Sequence, residues 1–167
     1  MTHGGYMQAA VCRRGHVIDD LIEPAVTRRE PLPKHCKKCG ALVLTECPQC
    51  TTRIQGSARG AVAWEWNPPD FCHQCGSPYP WVSREGIAYQ IENLLEADDL
   101  PQGDRRVLVE QLASLREPAG DAAVENRQMA ALRLLKSGAP KAWALAGPVL
   151  QGILTAEMRR QLGLPPA

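Results

Sequence analysis

Seven cysteines and one histidine in the first half of the chain form four closely spaced pairs of metal-ligand residues. In structural sites zinc binds four Cys or His ligands in a tetrahedron. Eight ligands fill two such sites, and no thiol remains free for catalysis. The sequence therefore predicts two structural Zn²⁺ ions, with the ligands Cys12, His16, Cys36, Cys39, Cys47, Cys50, Cys72 and Cys75.

Three of the pairs have the Cys-x-x-Cys spacing of a zinc knuckle, a tight turn that supplies two ligands. Gly40 and Gly76 directly follow the second cysteine of their pairs, and glycine suits a left-handed turn at that position. In the pair that starts at Cys47, we expect Pro48 to pre-set the turn by fixing its φ.

The remaining pair, Cys12 and His16, has one residue more between its ligands and is the least typical of the four. His35 and His73 lie beside knuckle cysteines, so each is an alternative ligand to His16. The simpler interpretation of both alternatives is an exposed polar residue.

A disulfide framework is the main alternative for so many cysteines. The N-terminus shows no charged segment followed by an apolar one, as a signal peptide would, and this predicts a cytoplasmic, reducing location. In such a compartment these spacings favour metal binding over disulfides. No segment reaches the roughly twenty apolar residues of a membrane span.

The sequence allows two interpretations of which ligand pairs bind the same metal ion. Pairs that combine in sequence order would give two consecutive zinc ribbons, each closing a hairpin. Interleaved pairs would give a cross-brace, although the seven residues of 40–46 are long for its central interval. We favour tandem ribbons, because residues 8–11, 16–18, 41–45 and 61–66 have strand-like composition around the knuckles.

Four stretches of the chain, including the tail Pro78-Tyr79-Pro80-Trp81, resemble a bacterial family of zinc-ribbon proteins that is carried as a domain of unknown function. The likeness covers residues 6–83 well and the remainder loosely. It implies a bacterial, non-secreted zinc protein with a helical C-terminal part, and it implies no activity. The stretches are residues 12–18, 35–40, 46–50 and 71–81.

The composition changes near residue 83, which predicts two domains, 1–83 and 84–167. Beyond that point apolar residues recur at helical spacing, with Asp104 and Asp121 as expected helix caps and a break expected at Gly147 and Pro148. Short loops between such helices predict a small bundle. The predicted fold class is α+β, with tandem zinc ribbons followed by a helical bundle.

Charge argues against general nucleic-acid binding. Residues 1–83 hold nine Lys/Arg and seven Asp/Glu, and seven thiolates with two Zn²⁺ bring the formal charge to about −1. A local nucleic-acid site remains an alternative, in which basic residues of the first ribbon contact phosphates and aromatic residues stack on bases. Those side chains are Arg13, Arg14, Arg28, Arg29, Lys34, Lys37, Lys38, Trp64, Trp66, Tyr79 and Trp81.

Catalysis by this chain is disfavoured, because both metal sites are expected to be closed and no nucleophile elbow, phosphate loop or metalloprotease helix is present. The leading hypothesis is a non-catalytic interaction adaptor, whose ribbons present loops and aromatic residues to a protein partner. Interleaved pairs would instead favour a RING-like ubiquitin-ligase module. A nucleic-acid-binding ribbon is the second alternative.

Overall fold

The computed structural model describes residues 5–23, 26, 30–60 and 66–165. Antiparallel strands come first along the chain and helices follow, so the predicted α+β class is confirmed. Contacts divide the chain into two compact units. The first comprises the residues up to Cys75 together with Tyr79–Trp81, and the second comprises Gly76–Pro78 and the residues from Val82 onward.

Among the described residues, the first unit is built on a four-stranded antiparallel sheet whose central strand is β1. Strand β1 lies between β2 and β3, and β4 also pairs with β1. Strands from both ribbons thus share one sheet, which is more stable than two isolated hairpins would be. The bounds are β1 (Tyr6–Cys12), β2 (Val17–Ile22), β3 (Val43–Leu44) and β4 (Gln55–Ala58).

The sequence of β1 explains its central place. Ala9, Ala10 and Val11 are completely buried, and small side chains let neighbouring segments approach β1 closely. Gly56 in β4 serves the same purpose, because a Cβ atom there would lie 2.3 Å from the carbonyl oxygen of Asp20 in β2. The strand predicted over residues 61–66 lies almost entirely outside the described residues.

The helices of the second unit form a bundle. Helix α1 packs against α4, α2 against α3, and α3 against α4, around a core that includes Ile91, Leu112 and Leu132. Among the described residues, no helix has the length and apolar character needed to cross a membrane. The bounds are α1 (Arg84–Leu94), α2 (Gln102–Leu112), α3 (Ala122–Gly138), α4 (Pro140–Leu150) and α5 (Ala156–Leu162).

Two of the helix starts follow from side-chain caps. The Ser83 hydroxyl accepts the backbone N–H of Gly86 at the start of α1, and Asp121 caps α3 as predicted. The predicted cap at Asp104 is wrong, because α2 already begins at Gln102 and places Asp104 in its first turn. A carboxylate there still interacts favourably with the helix dipole.

The predicted break at Gly147 and Pro148 is also wrong. Helix α4 continues through both residues to Leu150. Proline removes one backbone hydrogen bond, but Pro148 lies in the last turn, and the burial of Ala146, Val149 and Leu150 outweighs the loss.

Candidate metal centres

The eight predicted ligands come together in two groups of four. In each group one Nδ1 or Sγ atom per residue lies within 4.8 Å of all the others, so each group could hold one metal ion. Zn²⁺ fits the donors, because thiolate and imidazole are its usual ligands. The groups are Cys12, His16, Cys36 and Cys39, and Cys47, Cys50, Cys72 and Cys75.

The first group has the dimensions of a tetrahedral zinc site. Zinc bond lengths place two sulfurs about 3.8 Å apart, and a sulfur and a nitrogen about 3.6 Å apart. Here Cys12 Sγ lies 3.7 Å from Cys39 Sγ, and His16 Nδ1 lies 3.5 Å from Cys12 Sγ. The same nitrogen lies 3.3 Å from Cys39 Sγ and 3.6 Å from Cys36 Sγ. Its distances to the three sulfurs are therefore those of ligands that share one zinc ion.

The second group consists of four cysteines with similar spacing. Cys47 Sγ lies 3.8 Å from Cys75 Sγ, and Cys50 Sγ lies 3.6 Å from Cys72 Sγ. Both values match the sulfur separation expected around one tetrahedral zinc ion. Cys47 and Cys72 are buried, whereas Cys50 and Cys75 are partly exposed.

The grouping follows sequence order. Cys12 and Cys36 lie in the same group, whereas an interleaved cross-brace would place Cys12 with Cys47. The RING-like alternative rested on the interleaved connectivity and loses that basis. His35 and His73 join neither group, and His35 Nδ1 instead lies 3.2 Å from the carbonyl oxygen of Gly40.

The turn between Cys12 and His16 is fixed by its own backbone. The Cys12 N–H donates to the carbonyl oxygen of His16, and the Gly15 N–H donates to that of Cys12. The His16 N–H approaches Cys12 Sγ at 3.3 Å. Gly15 has a φ of +84°, which explains why glycine stands at this position of the five-residue turn.

The three Cys-x-x-Cys knuckles share one backbone conformation. The residue after the second cysteine is left-handed in each, with φ values of +71° at Gly40, +58° at Thr51 and +72° at Gly76. Pro48 does not replace this feature, contrary to the expectation from its fixed φ. Instead Thr51 adopts the strained conformation and donates its N–H to the carbonyl oxygen of Cys47, as Gly40 does to Cys36.

Backbone N–H groups of the knuckles also favour the thiolate forms. Burial raises the pKa of Cys36, but the N–H groups of Lys38 and Cys39 lower it, and the net pKa is about 6. The Thr52 hydroxyl and N–H lower the pKa of Cys50 to about 6. Each group thus contains one thiol that ionises readily, and the thiolate is the form that binds metal.

Tyr79 and Trp81 belong to the packing of this unit. Tyr79 is 2 % exposed, and burial followed by the negative charge of Cys72 raises its pKa. Trp81 donates its indole N–H to the carbonyl oxygen of Pro69 at 3.0 Å. Tyr79 is therefore unavailable as an open stacking surface, Trp81 and Trp66 are half-buried, and Trp64 lies outside the described residues.

The surface of the first unit carries exposed apolar and basic side chains. The predicted basic residues Arg13, Arg14, Lys34, Lys37 and Lys38 are exposed, while Arg28 and Arg29 lie outside the described residues. Large apolar side chains are also exposed on the strands and loops. They include Tyr6 at 62 %, Leu21 at 55 % and Leu42 at 45 %.

Comparison with known proteins identifies a family. No curated protein and no solved structure matches the chain. One family model, described as an uncharacterized protein conserved in bacteria (DUF2321), matches residues 5–142. The match includes both candidate metal centres and extends through helix α3. The chain therefore belongs to the DUF2321 family of bacterial proteins.

Proposed function

We propose that this protein is a non-catalytic zinc-binding adaptor, in which two Zn²⁺ ions hold the first unit rigid so that its surface can bind a protein partner. The eight grouped side chains are the proposed zinc ligands. The observation that carries the proposal is that each group offers four protein ligands. Four ligands complete the tetrahedron of a structural site, whereas a catalytic zinc keeps one position for water or substrate.

The exposed apolar side chains support a role in binding. Tyr6, Leu21 and Leu42 remain in solvent, whereas Val11, Ile22 and Ile54 of the same unit are buried. Exposed apolar side chains on a rigid surface are a common feature of protein interaction sites. The near-neutral charge of the metal-loaded unit also suits protein recognition better than binding of a polyanion.

The test is capture of a partner by the zinc-loaded full chain in a nuclease-treated lysate of a host bacterium, with chemical crosslinking. The account expects a specific protein to be recovered in stoichiometric amount. Its capture should fall at least tenfold when Leu21 and Leu42 are changed to Ser, and it should persist when Val107 and Leu145 are changed to Ser. These control residues are exposed apolar side chains of the helical unit. Recovery of nucleic acid alone, or of no protein, contradicts the proposal.

A further inference from the structure

A groove of about 410 Å³ lies beside the first metal centre. It is lined by Val17 and Ile18 at the start of β2, by Pro33, by Lys37 and Lys38, and by the metal ligands His16 and Cys36. Val17 is 38 % exposed and both lysines are exposed, so apolar contact and positive charge are available in one place.

Lys37 and Lys38 line this groove and lie between two ligands of the first metal group. Neither lysine makes an ion pair with any described residue, and nor do Arg13 and Arg14, which lie between the other two ligands and are not part of the lining. Among the described residues of this unit, Arg59 forms an ion pair with Glu23.

No acidic side chain is among the described residues that line the groove. Asp20 of β2 keeps its negative charge while it accepts a hydrogen bond from the Ser57 hydroxyl at 2.5 Å, and Glu23 is paired with Arg59. The first centre, loaded with Zn²⁺, contributes three thiolates and one divalent cation, a net charge of −1, against the two lysines of the lining. The lining is therefore positive, although the unit as a whole is nearly neutral.

We propose that this groove is the part of the adaptor surface that binds an acidic segment of the partner protein, one that carries aliphatic side chains between its carboxylates. This inference rests on the proposed adaptor function. Aliphatic groups of the segment contact Val17, Ile18 and Pro33, while its carboxylates pair with Lys37 and Lys38. Charge complementarity of this kind raises the association rate and sets specificity.

The composition of the groove favours a peptide over a nucleic acid. Binding of single strands combines phosphate contacts with aromatic platforms for the bases. The described lining contains no Phe, Tyr or Trp side chain, and its only aromatic ring is the imidazole of the metal ligand His16. Tyr79 and Trp81 are stacked on each other with their centroids 4.7 Å apart.

The experiment selects ligands without assuming a partner. A phage-displayed library of random peptides is panned on the zinc-loaded full chain, and the selected peptides are synthesised with a fluorophore for anisotropy measurements. The inference predicts peptides in which Asp or Glu alternates with Val, Leu or Ile. Peptides without acidic residues, or an absence of any enriched peptide, would overturn it.

Matched charge reversals locate the binding site. The double variant Lys37→Glu and Lys38→Glu should weaken binding of a selected peptide at least tenfold. Arg133→Glu with Lys141→Glu makes the same change in net charge on exposed positions of the helical unit and should leave Kd within twofold. Equal losses for the two variants contradict the assignment, as does displacement of the peptide by oligothymidine at equal affinity.

The lysate capture separates the two proposals. If the captured partner is lost by the Lys37→Glu, Lys38→Glu variant, the groove is its docking site. If the partner is retained by that variant, the adaptor function stands and the groove assignment is wrong. If the wild-type chain captures no protein, the adaptor function itself is wrong.

Discussion

The rings of Tyr79 and Trp81 stack face to face, with centroids 4.7 Å apart and planes 9° from parallel. Tyr79 is buried close enough to Cys72 of the second metal group for that thiolate to raise its pKa. Trp81 lies against Gly15 in the turn of the first group, where an added Cβ atom would be 3.1 Å from Trp81 Cβ. The stacked pair therefore links the two metal centres within the first unit.

Gly15→Ala should destabilise the first centre more than Gly40→Ala does. Both glycines have positive φ, and a left-handed alanine costs roughly 1–2 kcal/mol. The new methyl group at Gly15 also meets Trp81, which adds roughly 1–3 kcal/mol of overpacking, whereas Gly40 has open space around it. Urea unfolding of the zinc-loaded variants measures the difference, and equal losses would contradict the packing of Trp81 on this turn.

Trp81→Phe should cost about 1 kcal/mol, and Trp81→Ala about 3–5 kcal/mol. Phenylalanine keeps a ring to stack on Tyr79 but loses the hydrogen bond to the Pro69 carbonyl oxygen. Alanine removes the ring as well. Thermal unfolding and zinc release to a chelator report the two effects. A Trp81→Ala variant that releases zinc at the wild-type rate would argue against the linking role of the pair.

Thr51→Gly should stabilise the second centre by roughly 1 kcal/mol, because a β-branched residue is strained at positive φ and glycine is not. The reverse change, Gly76→Thr, places the same strain in the last knuckle of the same metal group and should destabilise it by a similar amount. Competition for zinc against a chromophoric chelator measures both. Stability that falls on Thr51→Gly would show that threonine has another function in the knuckle.

Much of the metal sites was predictable, because ligand identity and spacing are local properties of the sequence. The tetrads combine in the predicted sequence order, and His16 is the histidine that joins them. The conformation of Thr51 was missed, since its position was interpreted from Pro48 alone. The position directly after the second cysteine, glycine in the other two Cys-x-x-Cys knuckles, was the signal that could have identified it.

Features that depend on contacts between residues distant in sequence were harder to predict from the sequence. Strand β3 lies within the predicted strand-like stretch 41–45, but β4 was not predicted: it is four residues long, too short for a periodic pattern, and it pairs with β1. Helix α4 passes through Pro148 because tertiary burial overrides the local propensity. Its N-terminal cap comes from Asp98, which is more than forty residues earlier in the chain and so lies outside any local sequence pattern.

Asp98→Ala should destabilise the helical unit by roughly 1–2 kcal/mol. The Asp98 carboxylate accepts the N–H groups of Lys141 and Ala142 at 3.2 and 2.7 Å, at the start of a helix whose own N-cap residue, Ala139, has no side-chain acceptor. Asp99→Ala is the matched control at an exposed neighbour and should change stability by less than about 0.5 kcal/mol. Circular dichroism during thermal unfolding distinguishes the two variants. An equal loss of stability in both would contradict the capping role of Asp98.

The most direct test of the account is X-ray absorption spectroscopy at the zinc edge, on protein whose zinc content has been measured by mass spectrometry. Two closed centres predict two zinc ions per chain with seven sulfurs and one imidazole nitrogen in total, an average of 3.5 sulfurs and 0.5 nitrogen per zinc ion. Sulfur scattering should appear at about 2.3 Å and nitrogen scattering at about 2.0–2.1 Å. A single zinc ion per chain, or an oxygen from water in either coordination shell, would contradict the assignment of both centres as structural.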